Sequence, residues 1–151
     1  MPDRLFPLLA SLVVAPVCVL AEPAKRGGEA DLPEGLKSSV LAGAEVVPSP
    51  SALCAAPTGE VFVGVDLLGS LGKGSGKGRI VRLVDGDNDG KAEEHTVFAK
   101  VDNPRGLVVS GRKVFVLHTV IPEGKKLTGM HLSVFDDADW DGVADLSLIH
   151  I

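Results

Sequence analysis

The sequence predicts an all-β protein, and two observations carry this prediction. Short apolar runs rich in branched residues recur along the chain, separated by turns that contain glycine, proline or aspartate, a pattern typical of β-strands joined by hairpins. The same order of runs and turns returns after about fifty residues, and each copy ends in an acidic loop. The chain is therefore expected to consist of repeated strand modules.

The first acidic loop, Asp85–Glu93, follows the apolar run 78–84 and bends at Gly90, its sixth position. Carboxylates at positions 1, 3, 5 and 9 and a backbone carbonyl at position 7 can converge on one hard cation. The predicted ligands are Asp85, Asp87, Asp89, the Lys91 carbonyl and Glu93. Without a cation, two carboxylates ~4 Å apart repel by about 4 kcal/mol at an effective dielectric of ~20. Calcium is predicted here, and the alternative is a solvated acidic hairpin without metal.

The second acidic loop, Asp137–Asp145, repeats this spacing 52 residues later, with Gly142 at the sixth position. Its predicted ligands are Asp137, Asp139, Asp141, the Val143 carbonyl and Asp145. The first loop lies between two strand-like runs, which predicts a hairpin tip, whereas an EF-hand loop joins two helices. Its twelfth position is Thr96 where an EF-hand has glutamate, so an EF-hand is rejected.

The strands repeat at nearly the same period as the loops. The run Val61–Val63 returns 53 residues later as Val114–Val116, and Pro50 is matched by Pro104. Strands are predicted at 36–41, 51–56, 60–65, 79–84, 95–99, 103–109, 113–118 and 131–136. Four antiparallel strands in ~40–50 residues form one blade of a β-propeller. The sequence therefore predicts a β-propeller fragment of about two blades over residues 32–145, in preference to a β-sandwich or a thrombospondin-like calcium array.

The N-terminal residues are expected to be separate from the fold. Residues 1–21 are predicted to be a signal peptide, because Arg4 precedes an apolar run from 5 to 20 and small residues precede Glu22. That run is interrupted by prolines and is shorter than the ~20 residues of a membrane span, so we expect export to the periplasm or the exterior, with no membrane span in the mature chain. Residues 22–31 are predicted to be a flexible leader.

The hexapeptide 146–151 resembles translated sequencing-adapter sequence, so His150 is left out of any metal or catalytic argument. Propellers usually close with 4 to 8 blades. We therefore expect the chain to be the truncated N-terminal part of a longer protein.

Composition excludes several classes of function. A formal net charge of −5 over 151 residues gives no basis for nucleic-acid binding. Cys54 has no partner in the mature chain, which predicts a buried structural thiol rather than a disulfide. The Gly/Lys-rich loop 67–78 lacks the spacing of a phosphate-binding loop and is predicted to be a surface loop.

The motifs of residues 32–145 resemble the N-terminal propeller of PVC-type haem-binding proteins, which are often labelled membrane-bound dehydrogenase-like and are related to glucose/sorbosone dehydrogenase propellers. Six motifs carry the resemblance: Leu32–Gly35, Val61–Asp66, Gly69–Lys73, Gly78–Asp85, Asp102–Leu107 and Val116–His118. Such proteins are exported and large, and a c-type cytochrome domain typically follows the propeller. The chain contains no Cys-x-x-Cys-His sequence, so it attaches no c-type haem itself.

The resemblance implies a dehydrogenase-like redox protein acting on sugars or polyols. In the complete protein a quinone would accept hydride and haem c would receive the electrons, while this fragment alone is expected to be inactive. A histidine base and arginines surround the quinone in the related enzymes, which makes Arg105 and His118 the candidates here, although structural roles at strand ends are commoner. His95 is expected to face solvent. The alternative is a non-enzymatic propeller that binds glycans or proteins, with the loop 67–78 as a contact.

Overall fold

The structure, a computed structural model, describes residues 32–69, 74–121 and 129–150. The predicted signal peptide (1–21) and leader (22–31) lie outside the described residues, as does part of the Gly/Lys-rich loop. The chain divides into two compact units, Met1–Ser38 and Ser39–Ile151. In the described part of the first unit, the Leu36 amide donates a hydrogen bond to the Pro33 carbonyl (3.1 Å) and closes a turn. The second unit contains all the strands described below.

The fold is all-β, as predicted, and consists of two four-stranded antiparallel sheets. The first sheet contains β1 (Pro50–Ala55), β2 (Val61–Asp66), β3 (Gly78–Val84) and β4 (Glu94–Ala99). The second contains β5 (Asp102–Ser110), β6 (Lys113–Thr119), β7 (Met130–Asp136) and β8 (Leu146–His150). Neighbouring strands in each sheet are neighbours in the chain. Among the described residues, no helix is long and apolar enough to cross a membrane.

The two sheets have the same register. In the first sheet Val63 pairs with Leu53 on one side and with Val81 on the other. In the second sheet Val116 pairs with Leu107 and with Ser133. Each member of the second set follows its counterpart by 52 to 54 residues, so the period read from the sequence is also the period of the strand pairing.

A core lies between the two sheets. Phe62, Ile80 and Phe98 of the first sheet pack in one cluster with residues of the second sheet: Leu107, Val114, Val116 and Phe135. The Phe62 and Phe98 rings meet edge to face, with centroids 5.0 Å apart, an arrangement that aromatic pairs prefer. Gly78 lets the chain pass this core closely, because an added Cβ there would collide with the Val101 carbonyl oxygen.

Each sheet also has a second apolar face, because successive side chains of a strand point to opposite sides. In the first sheet this face contains Val63, Val65, Val81 and Leu83, and the segment 41–47 packs against it. In the second sheet it contains Leu117 and Leu132, which are 40% and 42% exposed. Apolar residues on both faces distinguish these sheets from the half-solvated sheets of many antiparallel proteins.

The predicted strand at 36–41 is wrong. No strand forms there, and Val40 remains 71% exposed. The chain instead turns at Gly43, whose carbonyl accepts hydrogen bonds from the amides of Val46 and Val47 at 3.1 and 3.0 Å. Residues 36–41 pair with none of the described strands, so an apolar run alone did not determine the local conformation.

We expect Phe98→Ala to lower the free energy of unfolding by about 3–5 kcal/mol, because it removes a fully buried ring and leaves a cavity between the sheets. Val97→Ala is the matched control, since Val97 lies on the opposite face of β4 and is 44% exposed. It should cost about 1 kcal/mol or less. Urea unfolding of both variants measures the difference, and equal losses would contradict the assignment of the core.

Candidate functional site

The first acidic loop is closed by hydrogen bonds from its own backbone to its carboxylates. Asp85 Oδ2 accepts from the amide of Gly90 (2.9 Å), and Asp85 Oδ1 accepts from that of Asp89 (3.2 Å). Asp87 Oδ1 also accepts from the Asp89 amide (3.1 Å), and Asp89 Oδ1 accepts from the Lys91 amide (2.8 Å). Glu93 Oε2 accepts from the Gly86 amide (2.8 Å). The predicted hairpin tip between β3 and β4 is confirmed.

The second acidic loop repeats this pattern between β7 and β8. Asp137 Oδ2 accepts from the amide of Gly142 (3.0 Å), and Asp145 Oδ2 accepts from that of Ala138 (2.7 Å). Asp139 and Asp141 each accept from the amide two residues later, at 3.3 and 2.7 Å. Positions four and six of both loops have positive φ: Asn88 59°, Gly90 90°, Trp140 65° and Gly142 85°. The two loops therefore share one backbone conformation.

Both loops bring carboxylates together. In the first loop one oxygen from each of the four predicted acids lies within 4.8 Å of the others: Asp85, Asp87, Asp89 and Glu93. In the second loop three of the four do so: Asp137, Asp139 and Asp145. Asp141 does not belong to that cluster, and the Lys91 and Val143 carbonyls stay predicted ligands. Hard oxygen donors of this kind fit a calcium ion.

The two clusters differ in burial. Asp85 is half-buried and the other acids of the first loop are exposed. Asp137 is only 7% exposed, and its Oδ1 atom is buried without a hydrogen-bond partner among the described residues. Burying a charged oxygen without a hydrogen bond is energetically costly. The second loop therefore has one carboxylate oxygen that accepts no hydrogen bond from the backbone of the loop.

The second loop also contacts the first sheet. Thr96 Oγ1 on β4 donates to the Gly142 carbonyl (2.9 Å), and the Ala144 amide donates to the Phe98 carbonyl (2.9 Å). Gly142 has a φ of 85°, which disfavours other residues, and an added Cβ would lie 2.7 Å from Arg82 Nη1, so the arginine side chain would have to shift. The first loop makes the corresponding bond to the segment before β1, where the Ala92 amide donates to the Leu41 carbonyl (2.8 Å).

A buried polar cluster occupies the opposite end of the strands, around Asp66 at the end of β2. Asp66 is completely buried, and its Oδ1 accepts from the Leu68 amide (3.1 Å). Its Oδ2 accepts from Asn103 Nδ2 (3.0 Å) and lies 3.5 Å from Arg105 Nη2. Thr119 Oγ1 donates to Asn103 Oδ1 (2.9 Å). The cluster therefore joins β2 of the first sheet to β5 and β6 of the second.

The two predicted catalytic candidates lie in or beside this polar region. Arg105 forms the ion pair with Asp66. His118 is buried on β6, with Nδ1 2.9 Å from the Thr119 carbonyl and Nε2 2.7 Å from Ser133 Oγ. These contacts suit a neutral ring that donates from Nδ1 and accepts at Nε2. Burial lowers the pKa of His118 from its ordinary value, and this outweighs the opposing effect of the Thr119 carbonyl.

Sequence reasoning missed Asp66, Asn103, Thr119 and Ser133. A polar residue that ends an otherwise apolar strand could have indicated Asp66 and Thr119, whereas Asn103 near the start of β5 and Ser133 in the middle of β7 gave no such signal. His95 is exposed, as expected. Cys54 is a free thiol and is half-buried rather than buried. The catalytic roles of Arg105 and His118 stay predictions.

Comparison with known proteins gives one match. Residues 23–148 match the family model described as a domain of unknown function, DUF7133. No curated protein and no solved structure matches the chain.

We expect the stability of the protein to fall as the pH decreases below 6.5, the ordinary pKa of histidine. The folded His118 has a lowered pKa, so the unfolded chain binds the proton more readily and acid favours unfolding. The neighbouring charges are His131, which adds to the lowering, and Asp102, which opposes it.

Urea unfolding at neutral and mildly acidic pH measures this dependence. His118→Gln should reduce the loss of stability between the two conditions, whereas the exposed control His95→Gln should leave it unchanged. The same pH dependence in the wild type and in His118→Gln would contradict the assignment.

Proposed function

This chain belongs to the DUF7133 family, and we propose that it forms two blades of an exported β-propeller from a dehydrogenase-like redox protein. In this proposal the complete protein oxidises sugars or polyols, and the acidic loops of the blades bind calcium. The proposal rests on one observation: residues at equivalent positions of the two sheets lie on equivalent faces.

Equivalent residues point in the same direction in both sheets. The second sheet packs on the first through Val114, Val116 and Phe135. Their counterparts in the first sheet, Val61, Val63 and Leu83, belong to the cluster on its other face. In this proposal every blade packs on the preceding blade through the face equivalent to Val114, Val116 and Phe135, and its other face receives the following blade. Repetition of this rule produces a ring of blades, whereas a β-sandwich buries only one face of each sheet.

The redox part of the proposal rests on the six sequence motifs that resemble the dehydrogenase-like propellers. Bound in the complete protein, a quinone would supply a hydride acceptor. The residues of this chain that would act near a substrate are Arg105 as a cation and His118 as a neutral base. His118 would first have to exchange its Ser133 hydrogen bond, because Nε2 is already occupied. The chain has no site for haem c, so haem would be bound by another part of the protein.

Two observations support export and calcium binding. The family match begins at residue 23, directly after the predicted cleavage site that follows Ala21. The oxygens of the acidic loops are the donors that calcium prefers, and extracellular calcium modules bind with dissociation constants of about 10⁻⁴–10⁻³ M. Ion concentrations outside the cytoplasm reach that range, so such weak sites are effective only there.

The redox proposal is tested by dye-linked oxidation with the complete protein. We expect sugars or polyols to reduce the dye, and Arg105→Gln to lower the rate, because a cation near the polar cluster is lost. Arg79→Gln, a substitution on β3 outside the cluster, is the control. Glycan binding without oxidation would contradict the proposal and favour a non-enzymatic binding propeller, for which Leu67 and Leu68, 46% and 41% exposed, are available contacts.

The calcium proposal is tested by removing the ion. A site occupied at ten times its dissociation constant adds about 1.4 kcal/mol to the free energy of unfolding, so a chelator should lower the melting temperature by roughly 5 °C. Asp87→Ala combined with Asp139→Ala should abolish this response. Glu94→Ala, an exposed acid beside the first loop but outside its cluster, should preserve it. A chelator without effect on the intact protein refutes the proposal.

A further inference from the structure

We infer that a divalent cation in the second acidic loop fastens the second sheet to the first, and that the first acidic loop has no such role. The inference rests on the calcium binding proposed above and assigns that binding a specific place and effect. The ligand is a calcium-like cation bound by carboxylates of Asp137, Asp139 and Asp145.

Among the residues that the structure describes, none forms an ion pair with the carboxylate of Asp137. The residue is 7% exposed, Oδ2 accepts from the Gly142 amide, and Oδ1 is a buried atom with no hydrogen-bond partner among the described residues. One of its oxygens lies within 4.8 Å of oxygens from Asp139 and Asp145, so the carboxylate faces the cluster. An isolated buried carboxylate is strongly unfavourable, and a cation in the cluster would remove this cost.

The nearest basic side chains are already paired. A cavity of about 20 Å³ beside the loop is lined by Arg82 and Arg112 as well as Asp137. Arg82 donates to Glu60 through Nε (2.6 Å), and Arg112 Nε lies 2.8 Å from Asp136 Oδ1. Among the described residues, no ion pair joins either arginine to Asp137. Within the part of the chain that the structure describes, no basic side chain forms an ion pair with Asp137, and a bound cation would supply the compensating charge.

Ordering the second loop also orders the hydrogen bonds that it forms with the first sheet. The Gly142 carbonyl and the Ala144 amide, both in the loop, bond to β4 of the first sheet. A cation that binds only when the loop is closed stabilises every contact that requires closure. The ion therefore strengthens the contact between the sheets although it touches only one of them.

The first loop differs on each of these points. Both oxygens of Asp85 accept backbone hydrogen bonds, so no buried oxygen is left unsatisfied. The loop bonds to Leu41, which lies in a turn-containing segment and not in a sheet. The two loops therefore have the same sequence spacing, but a cation would stabilise a buried unpaired carboxylate oxygen only in the second.

Terbium luminescence can report on the second loop alone. Trp140 is the only tryptophan of the chain, the chain has no tyrosine, and the corresponding residue of the first loop is Asn88. Excitation of Trp140 should therefore sensitise terbium bound in the second loop, and calcium should displace it. We expect Asp137→Asn to abolish the signal and Asp85→Asn to leave it unchanged.

Hydrogen exchange of the Ala144 amide measures the contact between the second loop and the first sheet, because this amide donates a hydrogen bond to the Phe98 carbonyl. With calcium at ten times its dissociation constant, exchange should slow about tenfold. Asp137→Asn should remove this calcium effect, whereas Asp85→Asn should retain it. Asp137→Asn should also melt at a higher temperature than the wild type in chelator, since it removes the uncompensated charge, and this readout distinguishes the site from a merely structural side chain.

Thr96→Val serves as a second variant that leaves every ligand intact. It should keep the terbium signal but weaken the calcium effect on Ala144, because one bond between loop and sheet is lost. Terbium luminescence that survives Asp137→Asn overturns the site. If Asp137→Asn abolishes the luminescence but calcium does not slow the exchange of the Ala144 amide in the wild type, the fastening role is overturned and the calcium proposal stands. None of these readouts depends on sugar oxidation, so failure of the redox proposal is distinguished from failure of this one.

Discussion

The other features of the structure depend on one constraint, the packing of the second sheet on the first. It buries Phe62, Ile80 and Phe98 against Val114 and Val116, and burial of such side chains is the dominant favourable term in folding. This packing also brings the strand ends of the two sheets close together. The polar cluster at one end and the contact of the second acidic loop at the other both span the same pair of sheets.

The two ends of this joint use different chemistry. At one end Asp66 is satisfied within the chain by Asn103, Arg105 and a backbone amide. At the other end one oxygen of Asp137 has no hydrogen-bond partner in the described part of the chain. A fully satisfied buried network stabilises one packing of the core, whereas an unsatisfied carboxylate favours uptake of a cation. The proposed dependence on calcium is thus confined to one end of the contact.

Residues with equal sequence signals proved unequal in the structure. Asp85 and Asp137 both open a loop of the same spacing, yet only Asp137 is buried, because β4 of the preceding sheet lies against the second loop. Leu36–Leu41 resembles a strand in composition, but it pairs with none of the described strands. Arg105 and His118 were identified as candidates from the resemblance, while their partners Asp66 and Ser133 lie at least fifteen residues away in the chain and gave no local signal.

The sequence by itself determined seven of the eight strands that the structure describes, β1 to β7, together with the period of about fifty residues and the position of the first acidic loop at a hairpin tip. These features depend on hydrogen bonds and side-chain alternation within a few residues, so local spacing is sufficient to specify them. Only the tertiary structure decided which carboxylate is buried, which arginine is paired and which faces of the sheets meet. Those properties depend on residues more than twenty positions apart, such as Arg82 and Glu60 or Thr96 and Gly142, and no local pattern carries that information.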